Sequence, residues 1–233
     1  MVRQKDAAIV TNQRILDQGT IEDVLETPVG RRLSIGIIGS TITALTTDLL
    51  GTFSGEIERP ADQLGTARLK IQQAASISHA DLLLASEGAF HPHPDTPFLT
   101  VNTEVIVLFD RTTEQEIIAK HTTLETNAAK ITTNDEAILL EFANRIQFPA
   151  HRIILMTDDS SNTPKRILKD MDNEVALVSA FRSLQNNSHD LVVVETDLRA
   201  MHNPTRQAQI NITANKLVQL MRSYCPACNN PGY

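Results

Sequence analysis

Tryptophan is absent from the 233-residue sequence, and aromatic residues make up only 4% of it. A core built from this chain must therefore be aliphatic, packed from Ile, Leu, Val and Ala. Cysteine is nearly absent too. The two present, Cys225 and Cys228, sit close to the end of the sequence, so no disulfide framework can hold the fold. Basic residues are in deficit, 21 against 28 acidic ones for a formal net charge of −7, which argues against broad binding to nucleic acid or anionic membranes. No apolar run approaches the ~20 residues of a membrane span. The first six residues are charged and unlike a signal peptide, so a cytoplasmic location is expected. Internal repeats and low-complexity tracts are missing. So are a Gly-x-Ser-x-Gly elbow, a His-Glu-x-x-His helix and the Lys-Ser/Thr ending of a phosphate-binding P-loop.

What remains is an ordinary globular chain, 41% hydrophobic and long enough to bury a core. Short apolar runs alternate with helical patterns. Residues 7–11, 33–38, 81–85, 104–110, 152–156 and 191–195 read as strands. Residues 15–25, 61–77, 173–184 and 204–223 read as helices, and so does a segment opened at Thr133 and running to Ile146. In the second of these Leu64, Ala67, Ile71 and Ala74 recur at helical spacing. Thr133 and Glu136 have the spacing of a capping box, and Asn203 with Pro204 reads as a cap followed by a first helical residue. The run 104–110 is apolar on both faces, which predicts an internal strand covered on each side, with 116–123 as its hairpin partner. Three prolines within 88–97 predict a loop there. The expected fold is α/β: a layered sheet of mostly parallel or mixed strands with helices on both faces. The expected division is a core domain over 1–157, an extension over 158–223 packed on it, and a short tail over 224–233.

In open α/β sheets ligands gather at strand ends, and acids stand at several such places here. Glu87 follows the run 81–85, and Glu56 and Glu58 lie on a Gly-containing loop ahead of a helix. Carboxylates converging on one cleft suit Mg²⁺, which takes oxygen ligands and keeps substrate phosphates. Taken singly, such acids are equally read as solvated loop ends. His91 and His93, two apart, would share one side of an extended segment and line a pocket wall. With Glu87 they have the types of a metal set, although an ordinary Pro-stiffened turn explains them as well. Ser54 belongs to a hydroxyl- and Gly-bearing stretch whose backbone N–H groups could cradle an anion. Arg68 and Lys70 could supply positive charge to it, or simply lie on a polar helix face. Asp197 and Arg199 could touch a ligand or, with Arg206, form an ion-pair network. Cys225-Pro226-Ala227-Cys228 is half of a zinc ribbon, and alone it would hold zinc only weakly or in trans.

The strings Gly51-Thr52-Phe53-Ser54-Gly55-Glu56-Ile57-Glu58-Arg59, Ala85-Ser86-Glu87-Gly88 with His91-Pro92-His93-Pro94, Glu125-Thr126-Asn127, Glu195-Thr196-Asp197 with Arg199-Ala200, and Asn203-Pro204-Thr205-Arg206 resemble a bacterial family known as a domain of unknown function. Members of that family often continue into a second Cys-x-x-Cys. Thr11-Asn12, the Ala-rich basic stretch from Ala67-Arg68 to Ala75, and Glu87-Gly88 after a buried strand are similar in order to the inosine/xanthosine triphosphatases. That likeness implies an inosine-triphosphatase-like fold, Asn12 at the substrate, Glu87 near a metal, and Mg²⁺-dependent cleavage of a nucleoside triphosphate. The functional expectation is a metal-dependent phosphohydrolase or pyrophosphatase on a nucleotide-like substrate. Glu56 and Glu87 would be its catalytic acids, Glu56, Glu58 and Glu87 its Mg²⁺ ligands, and Lys70 and Arg68 its phosphate contacts. The alternative is a non-enzymatic ligand-binding or adaptor protein, and a homodimer is compatible with either.

Overall fold

The computed structural model describes residues 7–10, 61–157, 166–185 and 187–232. The expected helix at 15–25, the strand at 33–38, the loop at 158–164, and Asn12, Ser54, Glu56 and Glu58 lie outside the described residues. The chain divides into two compact units, one of residues 1–124 with 207–233, the other of 125–206.

In the first unit, strands β1 (Ala7–Val10), β2 (Leu82–Pro92), β3 (Thr100–Asp110) and β4 (Gln115–Thr123) form one sheet in that order. Helix α1 (Gln63–Ile77) starts where the Asp62 side chain accepts from the Gly65 N–H at 2.7 Å. It buries Ala67, Ile71 and Ala74 against Leu83, Ala85, Val105 and Val107. The opposite sheet face, Leu82, Ile106, Leu108 and Ala119, packs on Leu217 and Met221 of helix α4 (Pro204–Arg222). β3 is thus internal and covered on both faces, as its two apolar rows require.

The second unit holds β5 (Lys130–Thr133), α2 (Glu136–Arg145), β6 (Ile153–Thr157), β7 (Ile167–Leu168), α3 (Glu174–Leu184) and β8 (Val192–Thr196), with sheet order β5-β8-β6-β7. Leu139, Phe142, Leu177 and Phe181 of its two helices close over Ile153, Leu155, Val192 and Val194. Helix α2 is capped by Asp135, which accepts from the Ala137 N–H at 2.7 Å, and Thr133 is the last residue of β5.

The α/β expectation holds, but the mostly parallel sheet does not. β1 and β2 pair in parallel, and among the described residues every other pairing is antiparallel. The cause lies in the connections. β2, β3 and β4 follow one another through turns too short for a parallel crossover, which needs a dozen or more residues. In the second unit the two-residue β7 reverses the chain before α3, so β8 returns antiparallel to β6.

The expected loop at 88–97 is also corrected. β2 continues through Gly88 to Pro92, paired with β3 from Glu104 back to Thr100. Proline is tolerated at a strand end. Pro92 is the terminal residue, and Pro94 and Pro97 fall in a turn closed by His93 N–H to Leu99 O at 2.7 Å. Glu87 therefore stands in mid-strand opposite Val105, not where the chain leaves the sheet.

Candidate functional site

Strand alternation puts Glu87 on the same face as Leu83 and Ala85, beneath α1. On α1, Lys70 falls in the buried stripe with Thr66, Ala67, Ile71 and Ala74. The two charges meet there: the Lys70 ammonium donates to Glu87 Oε2, with side-chain exposures of 3% and 9%. Lys70 Nζ also lies 3.3 Å from the Ser86 carbonyl. An ion pair this deep is desolvated, and its mutual attraction must offset a penalty of several kcal/mol per ion. Charged side chains are seldom buried this deeply, which makes the pair the candidate functional group of the first unit.

A polar strip runs from this pair along the sheet. Gln63 Nε2 donates to the backbone oxygens of Glu87 (2.7 Å) and Thr103 (2.6 Å). Thr103 Oγ1 bonds Thr122 Oγ1 at 3.0 Å and His91 Nε2 at 3.2 Å. The other His91 nitrogen, Nδ1, lies 3.0 Å from the Pro92 carbonyl, which can only accept, so Nδ1 carries a hydrogen. In the neutral ring Nε2 then accepts from Thr103. His93 does a separate job: its Nδ1 accepts from the Asp95 N–H at 3.2 Å inside the turn. The structure thus joins Lys70 with Glu87, and His91 with Thr103. Arg68 is elsewhere. It is exposed and forks onto Glu116 with contacts of 2.7–3.1 Å, and the Glu116 carboxylate pushes its guanidinium pKa further up.

On the other face of the same sheet lies a group that the sequence did not suggest. Glu104, 1% exposed, stands opposite His121 in the β3–β4 register. His121 Nε2 donates to Gln209 Oε1 at 3.0 Å, and His121 Nδ1 receives Lys216 Nζ at 3.0 Å. The one available signal was an acid at the head of the apolar run 105–109, two residues from Ile106 on the same face. The Oδ1 of buried Asn102, two residues the other way, has no hydrogen-bond partner.

In the second unit Asp197 is fully buried and held by Arg199. The Arg199 backbone N–H donates to Asp197 Oδ1 at 2.9 Å, and its Nη2 reaches Asp197 Oδ2 at 2.7 Å and Asp170 Oδ1 at 2.5 Å. His202 Nε2 is 3.1 Å from Asp170 Oδ1. Burial works to raise the Asp170 pKa, but Arg199 and then His202 outweigh it and hold the carboxyl below its usual range. Burial likewise works against the Arg199 charge, and Asp197 and Asp170 more than restore it. Ligand atoms of Asp170, Asp197 and His202 lie within 4.8 Å of one another, the one grouping of that kind among the described residues. A guanidinium already bridges the two carboxylates, so a divalent cation would have to displace Arg199. Arg206 donates to the Leu198 carbonyl at 2.8 Å. Asn203 caps α4 through the Arg206 N–H at 2.9 Å and donates to Asn127 Oδ1 at 2.8 Å.

Cys225 and Cys228 are free thiols in a terminal turn. Backbone N–H groups of Cys228 and Ala227 point at the Cys225 sulfur, and with the Cys228 side chain they lower its pKa.

A family model described as Domain of unknown function (DUF6671) matches residues 70–233, a stretch that begins at Lys70 and takes in the whole second unit. No curated protein and no solved structure matches the chain.

Proposed function

The chain belongs to this domain-of-unknown-function family, and from that premise we propose that it is a hydrolase of phosphate esters or phosphoanhydrides, acting on a nucleotide-like substrate at the Lys70–Glu87 pair. The observation that carries the reading is the pair itself, two opposite charges buried under α1 and continued by the Gln63, Thr103 and His91 strip. Glu87 would take the proton of an attacking water. Lys70 places positive charge where a phosphoryl oxygen gains negative charge. The nucleotide part of the reading comes from the order Thr11-Asn12, Ala67-Arg68 and Glu87-Gly88, similar to that of the inosine/xanthosine triphosphatases. A cytoplasmic setting agrees with the free thiols, and no helix among the described residues is long and apolar enough to cross a membrane.

Magnesium was expected at Glu87 with Glu56 and Glu58. The described residues around Glu87 do not by themselves compose such a site. The Lys70 ammonium already balances its charge, and among the described residues no group of three His, Cys, Asp or Glu ligands includes it. No step here is routed through a metal.

The test is a panel of nucleoside tri- and diphosphates, read as released phosphate or pyrophosphate, with Mg²⁺, with Mn²⁺ and with chelator. The expected result is turnover by the wild-type chain and none by a folded Lys70→Met/Glu87→Gln protein. Absence of turnover across the panel, with ligand-induced thermal stabilisation, would make this a non-enzymatic binding protein instead.

A further inference from the structure

Strand β4 ends the first sheet, and among the described residues no strand pairs with its outer side. One hydrogen bond tells which of its backbone groups point outward. The N–H of Arg111, the residue after β3, donates to the Asp81 carbonyl at 2.9 Å, on the β2 side. Backbone groups alternate sides along an antiparallel strand, so the odd-numbered residues of β3 bond to β2 and the even-numbered ones bond to β4. Glu104, Ile106 and Leu108 stand opposite His121, Ala119 and Ile117. The odd-numbered residues of β4 are thus tied inward. The N–H and C=O groups of Glu116, Ile118, Lys120 and Thr122 face out, and all of these residues are exposed. Among the described residues none of these backbone groups has a hydrogen-bond partner. An open edge of this kind is a template for another strand.

We propose that β4 pairs, antiparallel and about a two-fold axis at Ile118, with β4 of a second copy of this chain, joining the two sheets edge to edge. The side chains of β4 select this partner and this register.

A two-fold axis sets each residue against the one equally far on its other side. With the axis at Ile118, Glu116 faces Lys120 of the partner subunit, and Lys120 faces Glu116 of the partner subunit. Between these charge pairs Ile118, 36% exposed, meets its own counterpart. On the other sheet face Ile117 meets Ala119 of the partner subunit. Opposite charges directly across a ladder stabilise it, and like charges weaken it. Moving the axis to Ile117 or Ala119 sets Ile118 against Glu116 or Lys120, and moving it to Lys120 sets lysine on lysine. A lone lysine on an open edge guards against pairing with unrelated strands; against a copy of itself, Lys120 is matched. Arg68 already lies on the Glu116 carboxylate, whose two oxygens accept several donors, so a second cation joins it without displacing the first.

The experiment follows the full 233-residue chain by sedimentation velocity over a concentration series, at low and at high salt. The proposal expects a monomer–dimer equilibrium that weakens as salt rises, because the charge pairs are exposed. Ile118→Pro removes an outward N–H and leaves the ladder to β3 whole, the one place in a sheet where proline is tolerated, and it should leave only monomer. Lys120→Glu and Glu116→Lys each set like charges across the axis and should also be monomeric. An equal mixture of those two variants restores both opposite-charge pairs and should form dimers. Far-UV circular dichroism checks that each variant keeps its fold, and the two charge reversals carry the test alone if the proline variant does not. Three results would each overturn the proposal: monomer at every concentration, a dimer that both charge reversals leave intact, or a mixture of the two that stays monomeric.

Discussion

Replacing Glu87 by Gln keeps the shape of the side chain and removes its charge. Were Glu87 at a solvated strand end, the change would cost almost nothing. It sits instead in mid-strand under α1 with the Lys70 ammonium on its carboxylate, and Lys70 is 3% exposed. Glu87→Gln therefore strands a buried cation, and breaking a buried pair from one side costs about 3–5 kcal/mol. Against a total stability of roughly 5–15 kcal/mol, the protein should still fold, but with a melting temperature lower by about 6–20 °C. Lys70→Met strands the carboxylate and should cost a similar amount. The double variant leaves no buried charge and replaces the pair by two groups of like volume. It should cost far less than the sum of the singles, within about 2 kcal/mol of wild type, because well-packed replacements of buried pairs are often near neutral. Urea unfolding of all four proteins, followed by far-UV circular dichroism, measures the cycle. If Glu87→Gln costs under about 1 kcal/mol, or if the two single costs simply add, Lys70 and Glu87 are not a desolvated, mutually dependent pair. The same double variant then separates structure from chemistry. Folded and inactive, it places the pair in the reaction; folded and fully active, it makes the pair structural.

Three further predictions rest on the second unit. His151 is buried, its Nε2 takes the Thr205 N–H at 3.3 Å in the first turn of α4, and burial lowers its pKa. On acidification the unfolded chain takes up this proton first. The contribution of neutral His151 is therefore whole above the usual imidazole value of about 6.5 and drains away as pH falls through the lower folded value. Urea midpoints at pH 7.5 and 5.5 should differ more for wild type than for His151→Gln. Asn203→Ala removes the α4 cap and the donor bonds to Asn127 and the Asp197 carbonyl, and should cost about 2–3 kcal/mol by urea unfolding. Arg199→Met leaves fully buried Asp197 without its counter-charge and should cost about 3–5 kcal/mol. Asp170→Asn, at an exposed partner of the same arginine, should change stability by less than about 1 kcal/mol. Equal losses from these two would mean that Asp197 is not the group Arg199 serves.

What could be read in advance follows from how local each determinant is. The α1 helix rests on Ala67, Ile71 and Ala74 at helical spacing, and β3 on apolar residues in both of its rows. Asn203 caps α4 through an N–H three residues away. All of this lies within one stretch of chain, and all of it was legible. The misreadings share the opposite property. Gly88 and the prolines at 92, 94 and 97 signal a break, yet Gly88–Pro92 is strand because β3 offers a ladder eight or more residues further on. The direction of pairing depended on where β7 reverses the chain, and two residues carry no periodicity.

The candidate site shows the same limit most sharply. Lys70 in a helix reads as a surface residue, and Glu87 after an apolar run reads as a strand-end acid. Each reading is correct for a charge considered alone, because an isolated charge is too expensive to bury. Seventeen residues separate the two, and only the fold of α1 onto β2 lets each make the burial of the other tolerable. A buried charge is thus a property of a pair. A one-residue-at-a-time reading assigns both members to the surface, and so it places such a pair where the fold does not keep it.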